Sequence, residues 1–189
     1  MTITEGRQEL TLDASWHGVK WDEAWEFKGS MESTFAQLSG RSVKAADVVG
    51  VRRGRGIETV LLVAELKDFD RSHLPAAQAA AVARKGTSDE VMRDIIAKVI
   101  DSLCGAAFAH DVAGARVPEL DHWRTALGLK TTKVLVLVCV ELPGSQVGAV
   151  LPWTTALKRR LRWLGPSARV IVTGARRPFR GDGLAYGVT

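Results

Sequence analysis

Two carboxylates and a lysine lie at the ends of neighbouring apolar segments of this chain. Glu65 and Lys67 close one such segment and are separated only by Leu66. Alternate side chains of a strand point to the same face, so Glu65 and Lys67 are expected to share a face. An acid and a base at the end of an apolar strand are costly unless they are solvated, paired or bound to metal. Their spacing therefore predicts a polar site at this strand end.

Asp47 lies one apolar segment earlier and is expected to reach the same site through a tight turn. The intervening residues 52–56 contain two glycines, which supply the backbone angles that a hairpin turn needs. A turn centred on Gly56 pairs Asp47 with Glu65, and a centre one residue earlier pairs it with Val63. A bulge could mix the two registers, but in each of them Asp47 and Glu65 lie on neighbouring strands.

These residue types suit a divalent metal and a phosphate. Two carboxylates and a backbone carbonyl are hard oxygen ligands, which Mg²⁺ and Mn²⁺ prefer. We predict that Asp47, Glu65 and the carbonyl of Leu66 bind the metal, which would polarise a scissile phosphate and lower the pKa of a bound water. Lys67 completes the catalytic set with the two acids, because it would orient that water or stabilise negative charge developing on the phosphate.

The pattern resembles the active-site motif of the PD-(D/E)XK nuclease superfamily. That motif has an acid on one strand, followed by Glu or Asp, any residue and Lys on the next. Asp47 matches the first acid, with Ala46 in place of the proline, and residues 65–67 match the second half. The resemblance implies a restriction-endonuclease-like fold and Mg²⁺-dependent hydrolysis of nucleic acid, in the first place as a DNA endonuclease. The superfamily core, a helix, three strands, a helix and a strand, is compatible with this sequence.

Further segments are similar to a group of small bacterial proteins of this superfamily. The matching residues are Trp21-Asp22-Glu23, Asp47, Glu65-Leu66-Lys67-Asp68 and Lys98-Val99-Ile100-Asp101-Ser102. The resemblance implies a place in a bacterial defence or mobile-element system, and action as a homodimer or with a partner protein. It also implies an additional acid from an early helix, for which Glu23 and Glu26 are the candidates. Lys98 and Asp101 are one helical turn apart, and we favour a surface ion pair over a role in the site.

The balance of charge suits a polyanionic partner. The chain has a formal net charge of +5, and basic clusters on a small domain favour nucleic acid. The candidate nucleic-acid-binding residues are Arg52, Arg53, Arg55, Lys158, Arg159 and Arg162. The alternative for each cluster is an ordinary solvated face, because basic runs are common on protein surfaces.

The elements that must position the site predict an α/β protein. We expect one domain over residues 1–189, with a mixed central sheet that carries the site on a β-hairpin and is flanked by helices. The apolar run at residues 134–140 predicts a strand buried on both faces. Residues 8–13 are expected to form an edge strand, and the tail after residue 173 is expected to be irregular. The predicted strands cover residues 42–51, 57–67, 133–141 and 169–173, and the predicted helices cover residues 75–83, a segment from residue 88, and residues 152–164.

The cysteines and the apolar segments indicate in which cellular compartment the protein is expected. Cys104 and Cys139 both fall in apolar patterns and predict small buried thiols in a reducing compartment. The first residues lack the apolar core of a signal peptide, and the longest apolar run is too short to cross a bilayer. We therefore expect a cytoplasmic protein with no membrane partner.

Two other functional classes are open at this point. A protein that keeps the nuclease fold without its chemistry would be a non-catalytic nucleic-acid-binding or assembly subunit. A small-molecule-binding α/β domain would carry the acidic motif by accident, with Asp47 and Glu65 far apart or on opposite faces.

Overall fold

The chain forms three layers: a small antiparallel sheet, a five-stranded mixed sheet and a layer of helices. The computed structural model describes residues 1–23, 43–53, 59–70, 89–113, 122–123, 125–126, 132–142 and 150–188. The nine strands found within these ranges are β1 (Thr2–Glu5), β2 (Gln8–Leu12), β3 (Trp16–Lys20), β4 (Val48–Arg53), β5 (Thr59–Asp68), β6 (Thr132–Glu141), β7 (Arg169–Thr173), β8 (Arg180–Gly181) and β9 (Leu184–Val188). The helices are α1 (Asp89–Ala113) and α2 (Val150–Arg160), with 3-10 turns at Trp21–Glu23 and Arg162–Leu164.

The five-stranded sheet has the order β3-β4-β5-β6-β7. The pairs β3–β4 and β4–β5 are antiparallel, whereas β5–β6 and β6–β7 are parallel. Helices α1 and α2 lie in the two parallel crossovers, as parallel strands require. The predicted β4–β5 hairpin and mixed sheet are therefore confirmed, and the apolar strand β6 lies inside the sheet between β5 and β7.

The helices pack on one face of this sheet. On α1 four apolar residues spaced four positions apart, Val91, Ile95, Val99 and Leu103, are all buried in the same cluster as the sheet residues Val49 and Val63. On α2 the buried residues are Trp153 and Leu157, followed by Leu161 just after the helix. This spacing turns Lys158 and Arg159 to the exposed side.

The opposite face is covered by a second sheet, so the predicted flanking by helices holds for one face only. This sheet has the order β1-β2-β9-β8. Leu10, Leu12 and Tyr186 are buried in one cluster with Leu62 and Leu66 of the main sheet. The prediction of an irregular tail is therefore wrong, and β2 is an interior strand instead of an edge strand. Strand β9 is short and contains a glycine, so the alternation of apolar and polar residues in its sequence is too weak to predict a strand.

Several smaller expectations also change. Cys139 is buried as predicted, but Cys104 is exposed, so the expectation of two buried thiols is wrong. Helix α1 runs from Asp89 to Ala113, and β4 begins at Val48 instead of residue 42. The helix predicted at residues 75–83 lies outside the described residues. Among the described residues, the helices are too short or too polar to span a bilayer.

Candidate active site

Asp47 and Glu65 meet on the sheet face that α1 covers. Asp47 immediately precedes β4, and the register pairs Val48 with Ala64. Continued by one residue, this pairing places Asp47 beside Glu65, so the register that pairs Asp47 with Val63 is wrong. Both side chains are buried, with relative exposures of 5% for Asp47 and 1% for Glu65. The alternative of a small-molecule-binding domain expects the two acids to be far apart or on opposite faces, and they are neither.

The carboxylate of Asp47 is fixed to the neighbouring strand. The backbone N–H of Leu66 donates a hydrogen bond of 2.6 Å to Oδ2 of Asp47. A charge-assisted bond of this kind orients the carboxylate and leaves Oδ1 turned to the other charges of the site. Leu66 therefore contacts the site through its N–H, while its carbonyl as a metal ligand stays a prediction.

Two lysines neutralise the two acids. Nζ of Lys67 lies 2.5 Å from Oε1 of Glu65, so these residues share a face as strand alternation predicts. Nζ of Lys98 donates to the same oxygen at 2.7 Å and lies 3.9 Å from Oδ1 of Asp47. The preference for a surface pair between Lys98 and Asp101 is wrong, because α1 turns Lys98 inward. We call Asp47, Glu65, Lys67 and Lys98 the charge quartet.

Helix α1 also holds the segment that leads into Asp47. The N–H of Lys44 donates to Oδ2 of Asp101 at 3.0 Å, and the N–H of Ala46 donates to Oγ of Ser102 at 2.8 Å. Residues 43–46 precede the strand, so their backbone N–H groups need acceptors from elsewhere. The Lys-x-x-Asp-Ser segment thus has a physical role, since Lys98 touches Glu65 while Asp101 and Ser102 position the chain before Asp47.

Burial and nearby charges shift the pKa values of Asp47 and Lys67. Burial, and next the charge of Glu65, raise the pKa of Asp47 to about 6, although Lys98, the Leu66 N–H and Lys67 oppose the rise. For Lys67, burial lowers the pKa, but the charge of Glu65 and the hydrogen bond to it prevail, so the pKa ends above its usual value. Lys67 is therefore a permanent cation at neutral pH and not a proton acceptor.

A hard divalent cation fits the two acids. Oε2 of Glu65 is buried and has no hydrogen-bond partner within the described residues, which is costly for a carboxylate oxygen unless something binds it. In the same ranges, no group of three or more His, Cys, Asp and Glu side chains is placed to hold a metal. A metal bound here would share Asp47 and Glu65 and complete its shell with water or substrate, as Mg²⁺ commonly does.

Asp22 is an acid near the site, although Glu23 and Glu26 are the candidates that the sequence suggests for an additional acid. The N–H of Trp21 donates to the carbonyl of Asp47 at 2.9 Å, which brings the 3-10 turn against the site. Burial, and next the charge of Asp47, raise the pKa of Asp22. Glu23 instead pairs with Lys20 at 2.7 Å at the surface, and Glu26 lies outside the described residues. The feature of the sequence that points to Asp22 is its position directly after Trp21, whose buried ring anchors the 3-10 turn.

Comparisons with models of protein families, with curated proteins and with solved structures find no match to this chain. The quartet offers two acids that can hold a hard cation and a lysine that can bind a phosphate.

A cleft gives access to the quartet at Lys67. Its volume is about 730 Å³. Its described lining consists of Lys44, Lys67, Phe69, Glu90, Val91, Arg93, Asp94 and Ala97. Lys44 and Asp94 form an ion pair across it. Lys67 is the member of the quartet in this described lining, so a ligand in the cleft would contact the quartet through Lys67.

The predicted nucleic-acid-binding residues divide into two groups. The guanidinium of Arg52 lies 5.4 Å from the centre of the Trp16 ring and pairs with Asp182 at 3.2 Å, so it is engaged in intramolecular contacts. The side chain of Arg53 and all of Arg55 lie outside the described residues. The second group is exposed, and it consists of Lys158, Arg159 and Arg162.

Proposed function

We propose that this protein is a Mg²⁺- or Mn²⁺-dependent nuclease of the PD-(D/E)XK type that hydrolyses phosphodiester bonds as a DNA endonuclease. The observation that carries the proposal is the meeting of Asp47, Glu65 and Lys67 on one sheet face, beside a cleft. The order of β3, β4 and β5, then α1 and β6, supports a restriction-endonuclease-like arrangement. Action as a homodimer or with a partner protein, in a bacterial defence or mobile-element system, belongs to the same proposal.

Each residue of the quartet has a distinct role in this reaction. Asp47 and Glu65 would hold the cation, which when bound lowers the pKa of a water and offsets charge on the leaving oxygen. Lys67 keeps its proton and donates hydrogen bonds to a phosphate oxygen, which stabilises charge that develops there. Lys98 holds the carboxylate of Glu65 in place from the helix side. The buried setting strengthens all of these interactions relative to water.

Plasmid cleavage tests the proposal. Supercoiled DNA is incubated with the protein in Mg²⁺, in Mn²⁺ or in EDTA, and nicked and linear products are measured. We expect cleavage only with metal, and a loss of about a hundredfold or more for Asp47→Asn and for Lys67→Met. Glu23→Gln is the matched control, because it removes an acid of the same region that pairs at the surface. Wild-type activity that persists in Asp47→Asn would assign the cleavage to a contaminant and end the proposal.

The alternative is a non-catalytic nucleic-acid-binding or assembly subunit. The observation that favours it is the balance of the quartet, in which two lysines already neutralise two acids without a metal. Calorimetric titration with Mn²⁺ separates the two functions. Heat of binding that disappears in Asp47→Asn supports the nuclease. Absence of Mn²⁺ binding, together with DNA binding in EDTA that Asp47→Asn leaves unchanged, supports the alternative.

A further inference from the structure

The end of α2 and the turn after it expose three cations around one tryptophan. Lys158, Arg159 and Arg162 are exposed, and Trp163 has a relative exposure of 55%. Trp163 is one of only three large apolar side chains that are exposed among the described residues. We call Lys158, Arg159, Arg162 and Trp163 the α2 basic surface.

The segment that carries this surface is strongly positive because it contains basic residues and no acidic residues. Residues 142–181 contain no aspartate or glutamate. Their basic residues are Lys158, Arg159, Arg160, Arg162, Arg169, Arg176, Arg177 and Arg180. Arg160 pairs with Asp89 and Arg169 pairs with Asp182. Within the described residues, the three cations of the α2 basic surface have no acidic partner, so their charge is available to a ligand.

Arg160, which follows Arg159 in α2, contacts the helix that lines the cleft of the candidate active site. Nη2 of Arg160 lies 3.1 Å from Oδ1 of Asp89, the first residue of α1. Glu90 and Arg93, in the first turns of α1, belong to the cleft lining, together with Lys67. An ion pair therefore connects the C-terminal end of α2 with the start of the helix that lines the cleft.

We infer that the α2 basic surface binds single-stranded nucleic acid, with Trp163 stacking on an unpaired base and the cations contacting the flanking phosphates. The inference rests on the proposed function for its choice of nucleic acid as the ligand. An exposed aromatic ring among cations is the arrangement that holds single strands, because every base offers a face for stacking. A duplex hides those faces, so unpaired regions are preferred.

A membrane surface is the less suitable occupant. A helix that lies in a bilayer interface needs a continuous apolar face directed outward. The apolar face of α2, with Trp153 and Leu157, is instead buried against the sheet. A single ring between cations can stack on a base but offers little area for insertion into lipid.

Binding in EDTA tests the inference without requiring catalysis. Fluorescence anisotropy is measured with a short labelled oligothymidylate and with a duplex of equal length, over a range of salt concentrations. We expect tighter binding of the single strand. Trp163→Leu should weaken it about tenfold. Arg159→Gln should reduce the slope of the logarithm of the binding constant against the logarithm of the salt concentration by about 0.7, because one phosphate contact is lost.

Control variants show whether binding depends on this surface or on the overall positive charge of the protein. Arg176→Gln removes an exposed arginine outside the α2 basic surface, and we expect it to affect affinity less than Arg159→Gln. Equal losses in the two variants, or unchanged binding in Trp163→Leu, would overturn the inference. Sedimentation with vesicles containing phosphatidylserine is the lipid test, and binding to vesicles but not to oligothymidylate would also overturn it.

The test separates the two proposals. If plasmid is not cleaved but Trp163→Leu weakens oligonucleotide binding, the nuclease proposal fails and the surface stands. If Asp47→Asn abolishes cleavage but Trp163→Leu binds as the wild type does, the site stands and the surface fails. Because Trp163 is exposed, its replacement should leave the thermal unfolding temperature close to that of the wild type.

Discussion

The ammonium group of Lys98 lies 2.7 Å from Oε1 of Glu65 and 3.9 Å from Oδ1 of Asp47. A lysine of the helix layer is thus inserted between two acids of the sheet. Its ammonium group contacts the same two carboxylates that a shared metal ion would bind. The position gives Lys98 a role in the metal-free protein, where it offsets repulsion between two buried negative charges.

Replacing Lys98 should make the fold depend on metal. Lys98→Met leaves Glu65 with Lys67 alone, and we expect the free energy of unfolding in EDTA to fall by about 1–3 kcal/mol. Saturating Mn²⁺ should restore more stability to this variant than to the wild type. Urea unfolding with and without Mn²⁺ measures both effects.

The control for Lys98 is Lys158→Met, which removes an exposed lysine and should change stability by less than about 0.5 kcal/mol. Equal behaviour of the two variants would show that Lys98 contributes no more than a surface charge. Lys98→Arg tests the charge itself, and a substantial rescue of stability is expected if the contact with Glu65 is electrostatic.

Replacing Asp47 should stabilise the metal-free protein. The pKa of Asp47 is raised to about 6 from the ordinary 3.8, so the folded state takes up a proton more readily than the unfolded state. The contribution of this group to stability is therefore full below about pH 4 and is lost as pH rises through about 6. Asp47→Asn removes this loss, and we expect it to gain about 1–3 kcal/mol at pH 7 in EDTA.

Urea unfolding at pH 4 and at pH 7 checks the sign of the Asp47 effect. The gain from Asp47→Asn should be small at the lower pH and larger at the higher pH. A gain that is independent of pH, or a loss at pH 7, contradicts the argument. Glu23→Gln serves again as the control, because Glu23 pairs at the surface with Lys20.

The β4–β5 hairpin and its acids could be predicted because their signals are local. The alternation that places Glu65 and Lys67 on one face follows from the strand itself, and the residues between the strands restrict the register to two choices. The inward direction of Lys98 could not be predicted, since it depends on how α1 is rotated over the sheet. The small sheet was missed for the same reason, because β2 pairs with β9 from the far end of the chain.

The hydroxyl of Ser102 should matter although it touches neither acid. Ser102→Ala leaves the buried N–H of Ala46 without its acceptor, and we expect a loss of about 1–3 kcal/mol in the free energy of unfolding. Cleavage should fall as well, because Asp47 follows the freed segment. Thermal and urea unfolding measure the stability, with exposed Ser167→Ala as the matched control. A Ser102→Ala variant as stable as that control would remove the proposed role of α1 in positioning Asp47.

The two thiols should differ sharply in reactivity. Cys104 is exposed, whereas Cys139 is buried in β6, and burial raises its pKa well above the usual value. Because the thiolate is the reactive form, a disulfide reagent should modify Cys104 in the folded protein and Cys139 only after unfolding. The expected count is one thiol in native buffer and two in denaturant. Two fast-reacting thiols under native conditions would contradict the burial of β6.

The order in which the chain is made bears on how this fold is completed. Trp16 donates from Nε1 to the carbonyl of Asp182 at 2.8 Å, and β2 pairs with β9, so early and late segments close the small sheet together. During synthesis the β4–β5 hairpin can form soon after it leaves the ribosome. The small sheet that covers the rear of that hairpin, including Leu62 and Leu66, cannot be completed until β9 has been translated, because β9 is a strand partner of β2. This interval is when the nascent chain is most open to chaperones and to self-association.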